Sequence, residues 1–310
     1  MKHLISLAQL GPSQLAALVR RSAAFAAGQD RSRRPLADKT VGLYFRRSST
    51  RTRTSFTVGA QKLGAQTVVF GPQDLQLVTG ETLEDTGRVL SGYLDALVIR
   101  TNDAQAEMES LARQDRMAII NAMSTEEHPT QAVADLSTIL EARGEVEGAH
   151  LLYLGEGNNS TSALAFAFAQ TPRTRLTIVT PEGYGLPEAL LDRAREIARD
   201  RDTGTVIEQH HDIGDLPRNV DVVYTTRWQT MGVSKPDPDW RRRFLPYTVD
   251  ARLMERVSKD GTIFLHDLPA VRGDDVTDEV LDGPRSLAWR QAEHKMFGAM
   301  AILDYCLSED

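Results

Sequence analysis

The sequence contains a single cysteine, Cys306, and few aromatic residues, which make up 6% of its 310 residues. One cysteine excludes an internal disulfide framework and a cysteine-based zinc site. No apolar run approaches the ~20 residues needed to cross a bilayer. The first residues also lack the apolar centre and small-residue cleavage site of a signal peptide. We therefore expect a cytoplasmic protein with no membrane partner.

The chain also lacks an excess of positive charge, because 36 Lys and Arg residues face 43 Asp and Glu residues, for a net charge of -7. Without a global cationic field, we expect no nucleic-acid partner. The hydrophobic fraction of 41% and the charged fraction of 25% are ordinary for a globular protein. A chain of this length favours two domains or one large α/β unit over one simple core.

Short apolar runs rich in β-formers alternate with helical patterns along the whole chain. This alternation predicts an α/β fold with parallel sheets and helices on both faces. Strands buried on both faces read as continuous apolar runs, as these do. The predicted strands are 40–45, 66–70, 96–100 and 117–121 in the first half, and 150–155, 175–180, 205–209, 221–226 and 262–267 in the second.

The polar segment EARGEVEG at 141–148 predicts a domain boundary after a helix that begins near Pro129. We expect two doubly wound parallel-sheet domains of similar size, residues 1–142 and 143–287. A last helix, at 288–310, is expected to return to the first domain. The segment 233–244 has two prolines and three consecutive arginines, which predicts an exposed loop with solvated charges.

The densest cluster of polar side chains is FRRSSTRTRTSF at 45–56, where a strand leads into a helix. Ligands of α/β domains bind beyond the carboxyl ends of such strands. Hydroxyl groups, free N–H groups of the helix start and the planar fork of Arg51 would suit a phosphate or a similar anion. A capped helix start with solvated arginines would have the same pattern, and both interpretations remain open on these residues alone.

A second cluster is EEHPTQAVADL at 126–136, in which Pro129 fits the first turn of a helix. This helix would present His128 and Gln131 at the same sheet edge as segment 45–56. A packed or capping histidine is the plainer alternative.

A third segment, LGEGNNSTSA at 154–163, partly matches a dinucleotide-binding fingerprint. Ser160 replaces its third glycine, and the next strand ends in Thr180 and Pro181 without the acidic residue that binds a ribose. A nicotinamide-dependent oxidoreductase is therefore disfavoured. In the segment YTTRWQTMG at 224–232, Arg227 and Trp228 follow a predicted buried strand and form either a surface patch or a pocket wall.

STRTR, ALVIRT, EEHPTQAVADL and FLHDLPA occur in the order and at about the spacings found in one known family, and the sequence resembles it over nearly the whole chain. This is the aspartate/ornithine carbamoyltransferase family. The resemblance implies an enzyme that transfers the carbamoyl group of carbamoyl phosphate to an amine, with no cofactor and no metal. It also implies a homotrimer with shared active sites. Residues 1–142 would bind carbamoyl phosphate and residues 143–287 the acceptor.

The resemblance assigns the donor-binding residues by position. The phosphate would be held by Ser49, Thr50, Arg51 and Thr52. The carbamoyl group would contact Thr52, Arg100, His128 and Gln131, which with Arg51 form the implied catalytic set. The backbone at Leu268 would bind the carbamoyl NH2 group, Gln76 would come from the neighbouring subunit, and Lys295 stands where ornithine enzymes have an arginine near the donor.

The acceptor-binding positions combine features of both branches of the family. Ornithine enzymes have Asp where this chain has Thr226, and a Trp-x-Ser-Met-Gly motif where this chain keeps Trp228, Met231 and Gly232 but has Thr230 for the serine. Aspartate enzymes have Thr-Arg-x-Gln here, which Thr226, Arg227 and Gln229 match. Asn159 instead matches the ornithine-type residue for the α-carboxylate.

Asp267 is the second departure, since ornithine enzymes have Cys and aspartate enzymes Pro at this position. We hypothesise that Asp267 receives the acceptor's ammonium group and that Arg227, with Asn159, receives its carboxylate. The acceptor is then predicted to be an amino acid or diamino acid other than ornithine in its usual pose, such as 2,3-diaminopropionate. Ordinary ornithine carbamoylation and a catalytically silent binding paralogue are the alternatives.

Overall fold

The computed structural model describes residues 2–30, 33–229 and 235–308. The chain forms two compact units: unit 1 comprises Met1–Ser137 and Glu293–Asp310, and unit 2 comprises Thr138–Ala292. The borders predicted after residues 142 and 287 each lie five residues away from these (142 against 137, 287 against 292). The difference has a structural reason. Both borders fall inside continuous helices, Pro129–Arg143 and Ala288–Leu307, where the sequence has no break.

Unit 1 contains a four-stranded parallel sheet with the order β2-β1-β3-β4. Its elements are α1 (Pro12–Ala26), β1 (Thr40–Phe45), α2 (Arg51–Lys62), β2 (Gln66–Phe70), α3 (Leu83–Leu90), β3 (Ala96–Arg100), α4 (Gln105–Leu111), β4 (Ala118–Met123) and α5 (Pro129–Arg143), with short 3-10 turns at Leu7–Gln9 and Gln76–Thr79.

Unit 2 contains a five-stranded parallel sheet with the order β7-β6-β5-β8-β9. Its elements are β5 (His150–Leu154), α6 (Asn159–Ala169), β6 (Arg175–Val179), α7 (Glu188–Asp200), β7 (Val206–His210), β8 (Val220–Thr225), α8 (Trp240–Phe244), a 3-10 turn (Leu245–Tyr247), α9 (Ala251–Val257), β9 (Ser258–His266) and α10 (Asp278–Leu281), followed by α11 (Ala288–Leu307).

The predicted α/β class with two parallel sheets is confirmed, and each predicted strand is present within a few residues of its expected bounds. The runs that read as continuously apolar, such as β3 and β4, are buried at every position. This is the pattern of strands covered by helices on both sheet faces. Among the described residues, no helix combines the length and hydropathy of a membrane span.

The prediction that the last helix returns to the first domain is also confirmed. The Ser137 hydroxyl lies 2.7 Å from Nδ1 of His294 on α11. Nearer the end of α11, Asp304 accepts a hydrogen bond of 2.8 Å from Nε of Arg21 on α1. Gly59 on α2 lets α11 approach closely, because a Cβ atom there would lie 3.2 Å from the Met300 side chain. The chain therefore enters unit 2 along α5 and returns to unit 1 along α11.

Candidate active site

Four arginines, Arg46, Arg47, Arg51 and Arg53, follow β1 in the loop and the first turn of α2, and three of them differ in their surroundings. Arg46 forms ion pairs with Asp103 at 2.5 Å and Glu107 at 2.8 Å. The Arg53 guanidinium lies 5.3 Å from the centre of the Phe45 ring. Arg51 is the first residue of α2, where the N–H groups of the helix start have no intrahelical partner.

The start of α2 has the properties of an anion site. Its N-cap residue, Thr50, makes no side-chain capping bond, and the first turn has no acidic residue. The helix dipole and the uncapped N–H groups both favour a negative ligand. Ser49 is half-buried and Thr50 is exposed, so both hydroxyls border this helix start. The capped-helix alternative is therefore not what the structure contains.

Three predicted residues from different segments meet in a buried cluster. Arg100 ends β3, Thr52 lies in the first turn of α2, and His128 precedes α5. Nη1 of Arg100 donates to the Thr52 hydroxyl at 3.0 Å and lies 3.5 Å from Nε2 of His128. All three are nearly buried, with exposures of 7%, 3% and 4%. Parallel strands bring these residues to one sheet edge, as expected.

A β-bulge places Arg100 within this cluster. The β3–β4 register shifts at Ile99/Arg100, so that Ile99 pairs with Asn121 while Arg100 pairs with Met123. The Asn121 side chain stabilises the extra residue, since its Oδ1 accepts from the Met123 N–H at 2.9 Å. Bulges of this kind redirect side chains beside functional sites. No pattern in the sequence predicted this bulge.

The cluster keeps His128 neutral. Burial lowers the pKa of His128 well below its usual range, and the positive charges of Lys295 and Arg100 lower it further. A neutral imidazole donates a hydrogen bond from one nitrogen and accepts at the other. The Thr130 hydroxyl lies 3.3 Å from Nδ1, where it can donate and so leave the proton on Nε2.

Gln131 is held in place by two neighbours in unit 1. Its amide nitrogen donates to Asp135 at 2.7 Å, one turn further along α5. Its amide oxygen accepts from the ammonium group of Lys295 on α11. Gln131 is 1% exposed and Lys295 is 8% exposed. The structure thus brings Lys295 to the donor residues, although it lies more than 160 residues further along the chain.

Gln76 is not part of this cluster in one chain. It begins the 3-10 turn Gln76–Thr79 and is exposed. Its side-chain oxygen accepts from the Thr79 hydroxyl at 2.9 Å. Its role toward a neighbouring subunit stays a prediction.

In unit 2, the Asp267 carboxylate lies between two hydroxyl donors. Its Oδ1 accepts from the Thr226 hydroxyl at 2.7 Å, and its Oδ2 accepts from the Ser160 hydroxyl at 2.9 Å. The register explains the first contact, because Thr225 pairs with His266 and the next residues of β8 and β9 therefore lie side by side. The side chain is 13% exposed.

The Asp267 carboxylate has no lysine or arginine within ion-pair distance among the described residues. Among the described residues, its one ion-pair contact is with the His266 ring, at 3.8 Å. Nδ1 of that ring accepts the Leu268 N–H at 2.8 Å, and Nε2 lies 2.6 Å from the Asp275 carboxylate. Hydroxyl donors stabilise a carboxylate without neutralising it.

The contacts of His266 also fix the backbone at Leu268. Asp275 is 1% exposed and additionally accepts from the Val271 N–H at 3.1 Å. Leu268 has φ of 54°, a left-handed conformation that costs energy for a residue with a side chain. Asp275 and His266 therefore determine the conformation of the backbone for which a donor-binding role is predicted. Sequence reasoning missed both residues and had no signal for Asp275.

Asn159 and Ser160 stand at the start of α6. Asn158 caps this helix, its side chain accepting from the N–H groups of Ser160 at 3.0 Å and Thr161 at 3.2 Å. Asn159 is the first helical residue and is half-buried. Ser160, which stood out only as a replaced glycine in a partial dinucleotide pattern, instead binds Asp267.

Arg227, Trp228 and Gln229 line a cavity of about 160 Å³, so these three residues form a pocket wall and not a surface patch. Trp228, also in this wall, is 2% exposed and packs against Phe244. Among the described residues Arg227 forms no ion pair with Asp267. Asp274 and Asp275, in the same wall, are engaged with Arg241 and His266. Thr230 and Met231 lie outside the described residues.

These features define a class of protein: an α/β protein with a buried Arg-His-Thr cluster beside an uncapped helix start in unit 1, and a carboxylate held by two hydroxyl donors in unit 2. Family models identify it further. Residues 2–141 match the carbamoyl-P binding domain of aspartate/ornithine carbamoyltransferase, and residues 147–306 match its Asp/Orn binding domain. The chain belongs to the aspartate/ornithine carbamoyltransferase family and is a carbamoyltransferase.

Relatives of known name cover almost the whole chain. It is 39% identical over 275 residues to an ornithine carbamoyltransferase of Oceanobacillus iheyensis, covering 89% of this chain and 84% of the relative. It is 38% identical over 307 residues to that of Acidothermus cellulolyticus, covering 99% and 97%.

Solved structures agree with these relatives. Ornithine carbamoyltransferase from Pyrococcus furiosus matches with a TM-score of 0.90 at 33% identity, covering 100% of this chain and 98% of that one. The enzyme from Gloeobacter violaceus matches with a TM-score of 0.86 at 36% identity, covering 99% of each chain.

Proposed function

We propose that this protein transfers the carbamoyl group of carbamoyl phosphate to the side-chain amine of L-ornithine, giving citrulline and phosphate. The supporting observation is the 2.7 Å hydrogen bond between Thr226 and Asp267. In the ornithine enzymes that the sequence resembles, the carboxylate stands at the position of Thr226 and a cysteine at that of Asp267. Here the carboxylate comes from the neighbouring strand end and contacts the residue that replaced it.

This geometry changes the interpretation of the acceptor segment. The sequence indicated one lost carboxylate at Thr226 and one gained at Asp267, which favoured an acceptor such as 2,3-diaminopropionate. Since the two side chains touch, the two substitutions amount to a transposition that keeps one negative charge in one place. The α-ammonium group of ornithine then binds Asp267, with the hydroxyls of Thr226 and Ser160 holding the carboxylate. The names of the relatives support the same acceptor.

The acceptor's α-carboxylate has two candidate partners in unit 2. Asn159 stands at the N-terminal end of α6, where the amide side chain and the positive end of the helix both favour a carboxylate. Arg227 directly follows Thr226, and among the described residues neither an ion pair nor a hydrogen bond occupies its guanidinium group. Arg227 disfavours a simple diamine such as putrescine, because a diamine offers it no carboxylate.

The donor-binding residues carry the chemistry of the transfer. The ornithine amine attacks the carbonyl carbon, a C–N bond forms, the C–O bond to phosphate breaks, and the amine proton leaves with the phosphate or to water. Negative charge that develops on the carbonyl oxygen is stabilised by Thr52, Arg100 and the Nε2–H of neutral His128. Each such donor contributes a few kcal/mol, about 3–4 where one has been removed by mutation.

The 3.5 Å separation of Arg100 Nη1 and His128 Nε2 suits this role. It is long for a hydrogen bond between them, but two donors at this spacing can converge on one acceptor oxygen. Thr52 accepts from Arg100 and so keeps its own hydrogen to donate. Arg51 and the α2 N-terminus bind the departing phosphate, and Gln131, fixed by Lys295, contacts the carbamoyl group.

Several features of the proposal rest on the family resemblance. They are phosphate contacts from Ser49 and Thr50, an NH2 contact from the backbone at Leu268, acceptor contacts from Gln229, Thr230 and Met231, and a homotrimer that shares Gln76 between subunits. A cytoplasmic location remains a prediction from the sequence. Sedimentation equilibrium tests the trimer directly, and a monomer with full activity would contradict the shared site.

The experiment for the acceptor is a panel of amines with carbamoyl phosphate, read out as ureido product. We expect L-ornithine to have the highest kcat/KM among ornithine, aspartate, 2,3-diaminopropionate and putrescine. A preference for 2,3-diaminopropionate would favour the altered acceptor instead. If no amine reacts, and a bisubstrate phosphonate analogue leaves the melting temperature unchanged, the chain is a silent paralogue.

A further inference from the structure

The segment that follows the acceptor-binding strand end contains a buried lysine. The Lys235 side chain is 5% exposed and forms an ion pair with Glu156, whose side chain is 17% exposed. From the sequence, residues 233–244 were expected to be an exposed, solvated loop. That expectation is wrong for Lys235 and for Phe244, which is fully buried, although Arg241, Arg242 and Arg243 are exposed as expected.

Three aromatic rings complete the surroundings of this lysine. The ammonium nitrogen lies 4.8 Å from the centre of the Tyr184 ring, 5.2 Å from that of Trp240 and 5.0 Å from that of Phe244. All three distances are within the range of cation–π attraction. We call Lys235 and its four neighbours, Glu156, Tyr184, Trp240 and Phe244, the lysine box. One carboxylate and three π faces together make a site built for a cation.

The lysine box connects the two segments that bind the acceptor. Glu156 lies in the turn between β5 and α6, three residues before Asn159. Its backbone carbonyl accepts from the Tyr153 hydroxyl at 2.5 Å. On the other side, the Phe244 ring packs against Trp228 with centres 5.4 Å apart, and Trp228 follows Thr226 and Arg227. A single ammonium group therefore joins the turn that carries Asn159 to the strand end that carries Arg227.

Close packing couples the position of Glu156 to the positions of the residues proposed to bind the acceptor. A Cβ atom on Gly157 would lie 2.4 Å from the backbone nitrogen of Leu186, so the turn fits closely against the segment that carries Tyr184. The Gly157 N–H also donates to the Tyr184 carbonyl at 2.8 Å. Ser160, at the end of the same turn, donates to Asp267. A shift of Glu156 would therefore move both Asn159 and the donor that orients Asp267.

We infer that Lys235 is a positioning residue for the amino-acid acceptor: held in the lysine box, it fixes the spacing of Asn159, Arg227 and Asp267 and so determines the affinity for the acceptor's amino-acid group. This inference rests on the proposed function for its substrate. It assigns no contact between Lys235 and the substrate. Donor binding in unit 1 does not depend on the box.

The test compares Lys235→Met, Lys235→Arg and Glu156→Gln with the unmodified protein. We expect Lys235→Met and Glu156→Gln to raise the KM for ornithine at least about tenfold, because each leaves a buried partner without its counter-charge, while the KM for carbamoyl phosphate changes less than about twofold. Lys235→Arg should recover part of the loss, since arginine also binds carboxylates and aromatic faces.

Lys259→Met is the matched control. Lys259 also pairs with a carboxylate in unit 2, that of Asp221 at 2.7 Å, but it is 42% exposed and lies at the opposite end of β8 and β9. Its KM values should stay unchanged. Equal loss of affinity for both substrates in Lys235→Met, or an unchanged KM for ornithine, would overturn the inference.

A second measurement separates failure of the inference from failure of the proposed function. If the unmodified protein does not turn over any amine, the proposed function has failed. Hydrogen exchange then tests the box without any substrate. Lys235→Met should speed exchange of the backbone amides of residues 156–161, and Lys259→Met should not. Equal exchange in both variants would overturn the positioning role.

Discussion

The proposed exchange of the carboxylate between positions 226 and 267 predicts how kcat/KM for ornithine changes in three variants. Asp267→Cys removes the carboxylate that touches Thr226, while Thr226→Asp with Asp267→Cys returns it to the neighbouring strand end. A charge-assisted hydrogen bond contributes roughly 1.5–3 kcal/mol. Since about 1.4 kcal/mol is one power of ten, Asp267→Cys should lower kcat/KM for ornithine roughly 10- to 150-fold. The double variant should recover to within about tenfold of the unmodified protein, because the charge is restored although the supporting groups are not optimised.

The single change Thr226→Asp tests the effect of adding a second carboxylate to the site. It places two carboxylates side by side at a site where the hydroxyl-to-carboxylate distance is now 2.7 Å. Like charges this close raise the pKa of one group, so one of the two carboxylates loses its charge and little is gained. We expect no improvement in ornithine turnover from this single change.

The assay is steady-state formation of ureido product at saturating carbamoyl phosphate, with each variant's melting temperature measured in parallel. Asp278→Asn serves as the control, because that carboxylate also lies in unit 2 but is 73% exposed and pairs with Arg272. The reasoning would be refuted if Asp267→Cys kept full ornithine activity, or if the double variant were no better than Asp267→Cys alone.

Three further predictions concern other groups. Arg51→Ala should lower kcat/KM at least about a hundredfold without changing the melting temperature, since its role is to bind the leaving phosphate, whereas Arg47→Ala, an exposed arginine of the same loop, should stay near the unmodified value. Burial lowers the pKa of His128, so the unfolded chain binds a proton below pH 6.5 that the folded protein excludes. The free energy of unfolding should therefore fall as pH drops below 6.5, by up to about 1.4 kcal/mol per pH unit for this group, and His128→Gln should flatten the curve measured by urea denaturation; an unchanged slope would contradict a depressed pKa. Burial raises the pKa of the Cys306 thiol to about 12, so a thiol reagent should not modify the native protein but should label one thiol after unfolding.

The sequence by itself determined the elements and indicated the residues proposed here for most of the donor site. Continuous apolar runs such as β3 and β4 can be stable only as strands covered on both faces, so their pattern is visible without coordinates. The start of α2, proposed to bind an anion, could also be recognised from the sequence. Its hydroxyls, its arginine and the beginning of the helix follow one another within a few residues. His128 and Arg100 could be placed at the same sheet edge, since parallel strands end together.

The tertiary structure alone decided how distant residues combine. Asp267 and Thr226 stand 41 residues apart, and only the β8–β9 register shows that they share one carboxylate site. The burial of the Lys235 ammonium group also could not be predicted from the sequence. A lysine among prolines and acidic residues has the pattern of a solvated loop, and its burial depends on the ring of Tyr184 together with the rings of Trp240 and Phe244 on α8. The domain borders lie inside helices, where the hydrophobic period continues without interruption. Local patterns reveal what each segment becomes, but the spacing of groups from different segments is set by strand register and packing.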